Sequence, residues 1–194
     1  MTTLIRVAAL ALLASTLPMP AFAQMKAQVP ANITPAWDKG IQPISSESYW
    51  NAVECGKQGG AQPACVFYDA DLCKNADYTL TLYTPYKMVA YTVWQAVSKK
   101  QPAPTPSYGE AQRTRVILGV RPVRGSQNPI TAVNVKRGGK SLPPSTRTLD
   151  GGGGGTFIFD FPAFAPSADI SIELVGKAKT LTCAVPRTVL ARFR

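Results

Sequence analysis

The sequence contains no histidine. That removes the Ser-His-Asp and Cys-His arrangements, the usual zinc sites and the commonest general base near neutral pH. It contains no Cys-x-x-Cys pair either: nine and seven residues separate Cys55, Cys65 and Cys73, which argues against a redox dithiol. Long apolar runs are missing as well. Val7 to Leu17 and Met88 to Val97 both fall short of the roughly 20 residues a membrane-spanning helix needs, and Thr92 and Gln95 interrupt the second. Arginine is absent from Gln24 to Glu110, and acids are scarce from Ala111 onward.

What is present begins with an export pattern. One cation, Arg6, precedes the apolar run, and Leu17-Pro18-Met19-Pro20-Ala21-Phe22-Ala23 breaks it and ends in small residues. This three-part layout predicts a secretory signal over residues 1–23, cleaved after Ala23, and a mature protein that is periplasmic or secreted. Roughly 170 of the 194 residues remain, enough for one ordinary domain or two small ones sharing a core. Four cysteines in an exported chain, Cys55, Cys65, Cys73 and Cys183, predict two disulfides with three pairings open. Whichever pairing holds, one bridge ties the last strand to the first half.

Along the chain, residues 24–43 are rich in Pro, Ala and Gln and read as extended or poorly ordered. Residues 44–100 read as a cysteine-containing α/β cap. Within it, Ser45-Ser46-Glu47-Ser48 marks a helix start, and Gly56, Gly59 and Gly60 its stop. Tyr78 to Tyr83 alternates as a strand does. Thr84-Pro85 supplies a cap and a first-turn proline for a segment to about Ser98, whose β-branched and aromatic content keeps a strand in competition with a helix. Residues 101–110, with Pro102, Pro104 and Pro106, form a connector.

Beyond the connector the period becomes two. Thr114, Val116, Leu118 and Val120 face one way, and Arg113, Arg115, Ile117 and Arg121 the other. Phe157, Phe159 and Phe161 share a face, as do Ile170, Ile172 and Leu174, and Leu181, Cys183 and Val185. Turn signals at Gly125 to Pro129, Gly138-Gly139, Leu142-Pro143-Pro144, Gly151 to Gly155, Phe164 to Ser167 and Gly176 to Ala178 separate these strands. The expected fold is α+β and mainly β: an antiparallel β-sandwich over 111–194 with the disulfide-pinned helical segment packed on it. It resembles immunoglobulin-like and fibronectin-type modules in strand rhythm alone.

The charge is lopsided. From Gln24 to Glu110 seven lysines balance seven acids, whereas Ala111 to Arg194 holds nine arginines and four lysines against Asp150, Asp160, Asp169 and Glu173. Arg113, Arg115 and Arg121 are expected on one strand face, with Lys136, Arg137 and Lys140 flanking a glycine turn. Such a surface attracts anionic envelope polymers by charge and counterion release, although the same arginines also serve simple solvation. Nucleic acid is the poorest fit among these, because no stacking aromatics are interleaved with the cations.

Other chemistry has weaker grounds. Asp69, Asp71 and Asp77 cluster, but Cys73 occupies a ligand position of a calcium loop and the bidentate Glu is missing. The glycine run lacks the Gly-Lys-Ser/Thr of a phosphate loop. Trp37, Tyr49, Trp50, Tyr83, Tyr86, Tyr91 and Trp94 admit carbohydrate stacking, yet rings at helical spacing usually fill a core. No catalytic residue, metal or cofactor is assigned. The reading is an exported non-enzymatic binding or interaction protein of a bacterial-type envelope, meeting an anionic polymer or a protein partner through its basic β region. The alternatives are a hydrolase of envelope polysaccharide using carboxylates such as Asp69 and Asp71, and a structural accessory subunit of an envelope assembly.

Overall fold

A computed structural model describes residues 42–61, 63–67, 72–73 and 77–193; the expected signal and the extended segment after it lie outside this set, apart from residues 42 and 43. Helix α1 spans Ser46–Lys57, and the Ser45 hydroxyl caps it by accepting the Ser48 amide at 3.1 Å. A single turn, α2, follows at Ala64–Phe67. Strand β1 is Tyr78–Tyr83, and α3 is Pro85–Ser98, started by the Thr84 hydroxyl accepting the Lys87 amide at 3.1 Å. Helix therefore prevails over strand across 85–98. Its Tyr86, Val89, Ala90 and Val93 fall on one buried stripe, and the cap with its first-turn proline fixes the start.

Gly56 does not stop α1 but lies inside it. A Cβ there would stand 2.5 Å from the Ala90 carbonyl oxygen and 2.6 Å from the Val93 Cβ, so the missing side chain lets α1 and α3 approach closely. The helix ends one residue later, at Lys57. A second departure from expectation lies in the connector. Ser107 caps a short helix, α4, at Tyr108–Arg113, by accepting the Glu110 amide, and the Tyr49 hydroxyl donates to the Pro106 carbonyl just before it. Arg113 thus ends a helix rather than lying on a strand.

The remaining strands are β2 (Val116–Pro122), β3 (Ile130–Arg137), β4 (Lys140–Leu142), β5 (Thr146–Leu149), β6 (Gly155–Phe159), β7 (Ile170–Gly176) and β8 (Thr180–Val185), closed by a short helix, α5, at Arg187–Leu190. They form two antiparallel four-stranded sheets, ordered β1-β2-β6-β5 and β4-β3-β7-β8. Strand β1 pairs residue by residue with β2 across the intervening helices, from Tyr78 opposite Pro122 to Tyr83 opposite Ile117. Hydrogen bonds of the first sheet therefore join the chain on both sides of the proline connector.

The alternation read from the sequence holds within β2, β6, β7 and β8. Val116, Leu118 and Val120, Phe157 and Phe159, Ile170, Ile172 and Leu174, and Cys183 and Val185 are all buried. Phe161 departs, because a 3-10 turn at Phe161–Phe164 follows β6 and takes it off the strand. One apolar cluster draws on both sheets and includes Leu190 and Phe193 from the C-terminal stretch. A separate cluster holds α1, α3 and α4 together through Tyr49, Ala52, Val53, Val89, Val93 and Ala111. Cys55 bonds Cys65 within the helical region, and Cys73, in the segment ahead of β1, bonds Cys183 of β8. Among the described residues no helix is long and apolar enough to cross a membrane.

Candidate functional site

The six cations singled out from the sequence have different fates. Arg115 sits between α4 and β2, with Nε 3.4 Å from Asp160 Oδ1 and its guanidinium 5.6 Å from the Phe161 ring centre. Arg137, the last residue of β3, donates to the Pro162 carbonyl and the Ser167 hydroxyl. Both arginines thus grip the 160–167 segment from opposite sheets. Arg137 pairs with Lys140 across a two-residue turn in which Gly138 and Gly139 have φ of 53° and 79°, values that a side chain would strain. Arg113, Arg115, Arg137 and Lys140 therefore belong to one end of the sheets. Lys136 lies on the outward face of the second sheet and ion-pairs with Glu173 at 2.9 Å. That bond, joined by one from the Asn134 amide at 3.3 Å, holds the Glu173 carboxyl below the usual carboxylate range.

Arg121 is elsewhere. It lies six residues along β2 from Arg115, about 20 Å at strand rise, and pairs with Thr79 at the opposite end. Three loops meet at that end around buried Asn128. Its side-chain amide donates to Asp77 Oδ2 at 3.2 Å and to the Lys179 carbonyl at 3.0 Å, while its Oδ1 accepts from the Ala178 and Lys179 amides at 2.8 and 3.2 Å. The Tyr78 hydroxyl donates to the Asn128 carbonyl, and burial, with the charge of Asp77 second, pushes that phenol above its ordinary range. Gly176 is the only side chain size that fits here, since a Cβ would stand 2.1 Å from Asn128 Oδ1.

The same brace extends outward. The Ile130 amide donates to the Gly153 carbonyl and the Lys177 amide to the Pro129 carbonyl, both at 2.9 Å, locking the loops after β2, β5 and β7 to one another. On these loops Arg124 and Lys177 are exposed, as is Arg121 at the strand end, and no ion pair engages any of the three among the described residues. Lys179 is instead paired with Asp77 at 3.1 Å. Arg124, Lys177 and Lys179 were not singled out from the sequence. Arg124 and Lys177 each sit beside a turn glycine that is legible there, but only the topology brings those turns to one end.

Asp77 and Asp150 serve structure. Asp77 is held by Asn128 and Lys179, and Asp150 Oδ1 accepts the Gly152 and Gly154 amides at 2.9 and 2.8 Å, folding the glycine run around its own carboxylate. Asp69 and Asp71 lie outside the described residues, as does Trp37. No group of three or more potential metal-ligating carboxylates or thiols occurs among the described residues.

The described aromatics of the helical region pack on one another. Phe67 and Trp94 are edge to face at 4.9 Å, Tyr49 meets Trp50 and Tyr108 at 5.2 and 5.3 Å, and the Trp94 indole donates to the Gly60 carbonyl at 3.0 Å. Tyr49 and Tyr86 are fully buried. The helical region also buries a cation: the Lys87 ammonium stands 5.3 Å from the centre of the Tyr83 ring. Comparison of the chain with protein-family models, curated proteins and solved structures finds no match.

Proposed function

We propose that the chain is an exported, non-enzymatic binding protein that meets an anionic polymer of a bacterial-type envelope through its sheet region. The observation that carries this reading is the set of Arg121, Arg124 and Lys177, exposed, without ion pairs among the described residues, the first at the end of β2 and the other two on loops cross-braced by Asn128. These cations have no ion pair to break when an anion arrives, whereas Arg115, Lys136 and Arg137 must first leave Asp160, Glu173 and the 160–167 segment. The excess of positive charge confined to residues 111–194 adds long-range attraction.

Export is part of the same reading. It rests on the signal pattern at 1–23, and two disulfides fit an oxidising compartment. The shared apolar cluster supports reading the two sheets as a face-to-face sandwich of immunoglobulin-like rhythm.

The test is salt-dependent retention on phosphatidylglycerol vesicles and on immobilised lipopolysaccharide. The logarithm of the binding constant should fall linearly with the logarithm of salt concentration, and the triple change Arg121→Glu, Arg124→Glu, Lys177→Glu should lower affinity more than Arg115→Glu, Lys136→Glu, Arg137→Glu. Retention that ignores salt, or that falls equally for both triples, sinks the proposal.

A further inference from the structure

Strand β4 stops early. Its three residues, Lys140–Leu142, cover only Val135 to Arg137 of the eight-residue β3. Pro143 and Pro144, which have no amide hydrogen, then divert the chain across to β5 in the other sheet. The path that a longer β4 would follow beside Ala132, Val133 and Asn134 is an open groove of about 340 Å³, walled on its far side by Pro143, Pro144 and Arg147.

The backbone in this groove has a defined direction. Arg137 and Lys140 close a two-residue hairpin and so point their N–H and C=O groups at each other. Main-chain groups alternate sides along an antiparallel strand, so Val135 also points towards β4 and Val133 points into the groove. Farther back, the Ile130 amide is taken by the Gly153 carbonyl, which leaves Thr131 to Asn134 uncovered, about four residues or 13 Å of strand edge.

The walls also select chemistry. Arg147 is opposite Phe157, whose ring is in the core, so its side chain belongs to the core-facing side of its sheet and stands at the mouth between the two sheets. It is the one charged residue lining the groove, and no ion pair engages it among the described residues. Leu149, two residues on and on the same face, is 48% exposed.

We propose that this groove takes an extended peptide segment of a partner protein as an added strand on β3, with an acidic side chain directed at Arg147. A peptide residue paired with Val133 faces the core side and therefore Arg147, which makes Asp or Glu the complementary choice there. Backbone hydrogen bonding at Val133 supplies register, and the charge supplies selection.

The experiment uses the full chain and two synthetic peptides of eight alternating threonines and valines, one carrying a central Asp and the other a central Lys. Calorimetry should show the Asp peptide binding at least tenfold more tightly, with slowed amide exchange at Val133. Arg147→Glu should reverse the preference, while Arg187→Glu, which makes the same change of net charge elsewhere, should leave its direction intact. Equal binding of the two peptides overturns the proposal, as does a preference that follows net charge in both variants. Protection confined to β8 overturns it too, and so does a second copy of the chain occupying the groove, seen as self-association that slows Val133 exchange without peptide.

Discussion

In the helical region the rings of Tyr49, Tyr86, Phe67 and Trp94 turn inward, lysines and acids balance, and the disulfide spans a sequence separation of 10. In the sheet region the core is mostly aliphatic and phenylalanine, the surplus charge stands at loops and strand ends, and the disulfide spans 110. The two regions share a chain but not a core. The helical region directs its stacking chemistry into its own packing, and the sheet region leaves cations exposed on a hydrogen-bonded frame.

The largest effect should come from the bridges. Loop-closure entropy assigns about 5 kcal/mol to Cys73–Cys183 and about 3 kcal/mol to Cys55–Cys65, so the double change Cys73→Ser, Cys183→Ser should lower the denaturant midpoint more than Cys55→Ser, Cys65→Ser. The reverse order would show that the shorter loop, not the longer one, carries the greater stabilisation. Next is Asn128→Ala, which deprives the amides of Ala178 and Lys179 of their acceptor and the Lys179 carbonyl of a donor. A loss of about 3 kcal/mol is expected, measured by urea unfolding, with faster amide exchange in the loops after β2 and β7. Unchanged exchange there would remove the brace from the account.

Gly56→Ala tests the other region. Alanine ordinarily favours a helix over glycine by about 1 kcal/mol, but here its Cβ meets a backbone oxygen on α3. A net loss of about 2 kcal/mol follows from overpacking, seen as earlier melting of the near-ultraviolet signal of Trp50 and Trp94. The smallest effect belongs to Glu173. Its carboxyl is lowered in the folded state, so the stability it contributes is present above its unfolded pKa and disappears as pH falls through the folded pKa. Glu173→Gln should flatten the acid limb of melting temperature against pH and leave the alkaline limb unchanged.

Local chemistry was legible in the sequence where a few adjacent residues decide the outcome. Ser45 and Thr84 cap helices, Gly138-Gly139 turns a hairpin, and the strands alternate, because capping, positive φ and side-chain period are short-range properties. Arg113 was misread because Arg113 to Val120 alternates regardless of Ser107, which caps a helix six residues upstream. Gly56 was misread because a glycine that ends a helix and one that admits a neighbouring helix look alike until α3 is in place. The set of six cations divided for a related reason. Parity from Arg115 to Arg121 places both on one side, but six residues of strand rise set them about 20 Å apart, at opposite ends of the sheet. Arg124 and Lys177 came together only through strand order, which depends on pairings between distant parts of the chain.

The Cys73–Cys183 bridge also imposes an order on maturation. A chain made from its N-terminus presents Cys55, Cys65 and Cys73 together, and the fourth thiol follows 110 residues behind Cys73. During that interval three thiols compete for one bond, and two of the three possible pairs are wrong. For the native pair to form, Cys73 must therefore stay reduced until β8 arrives or be released from a wrong partner by thiol–disulfide exchange.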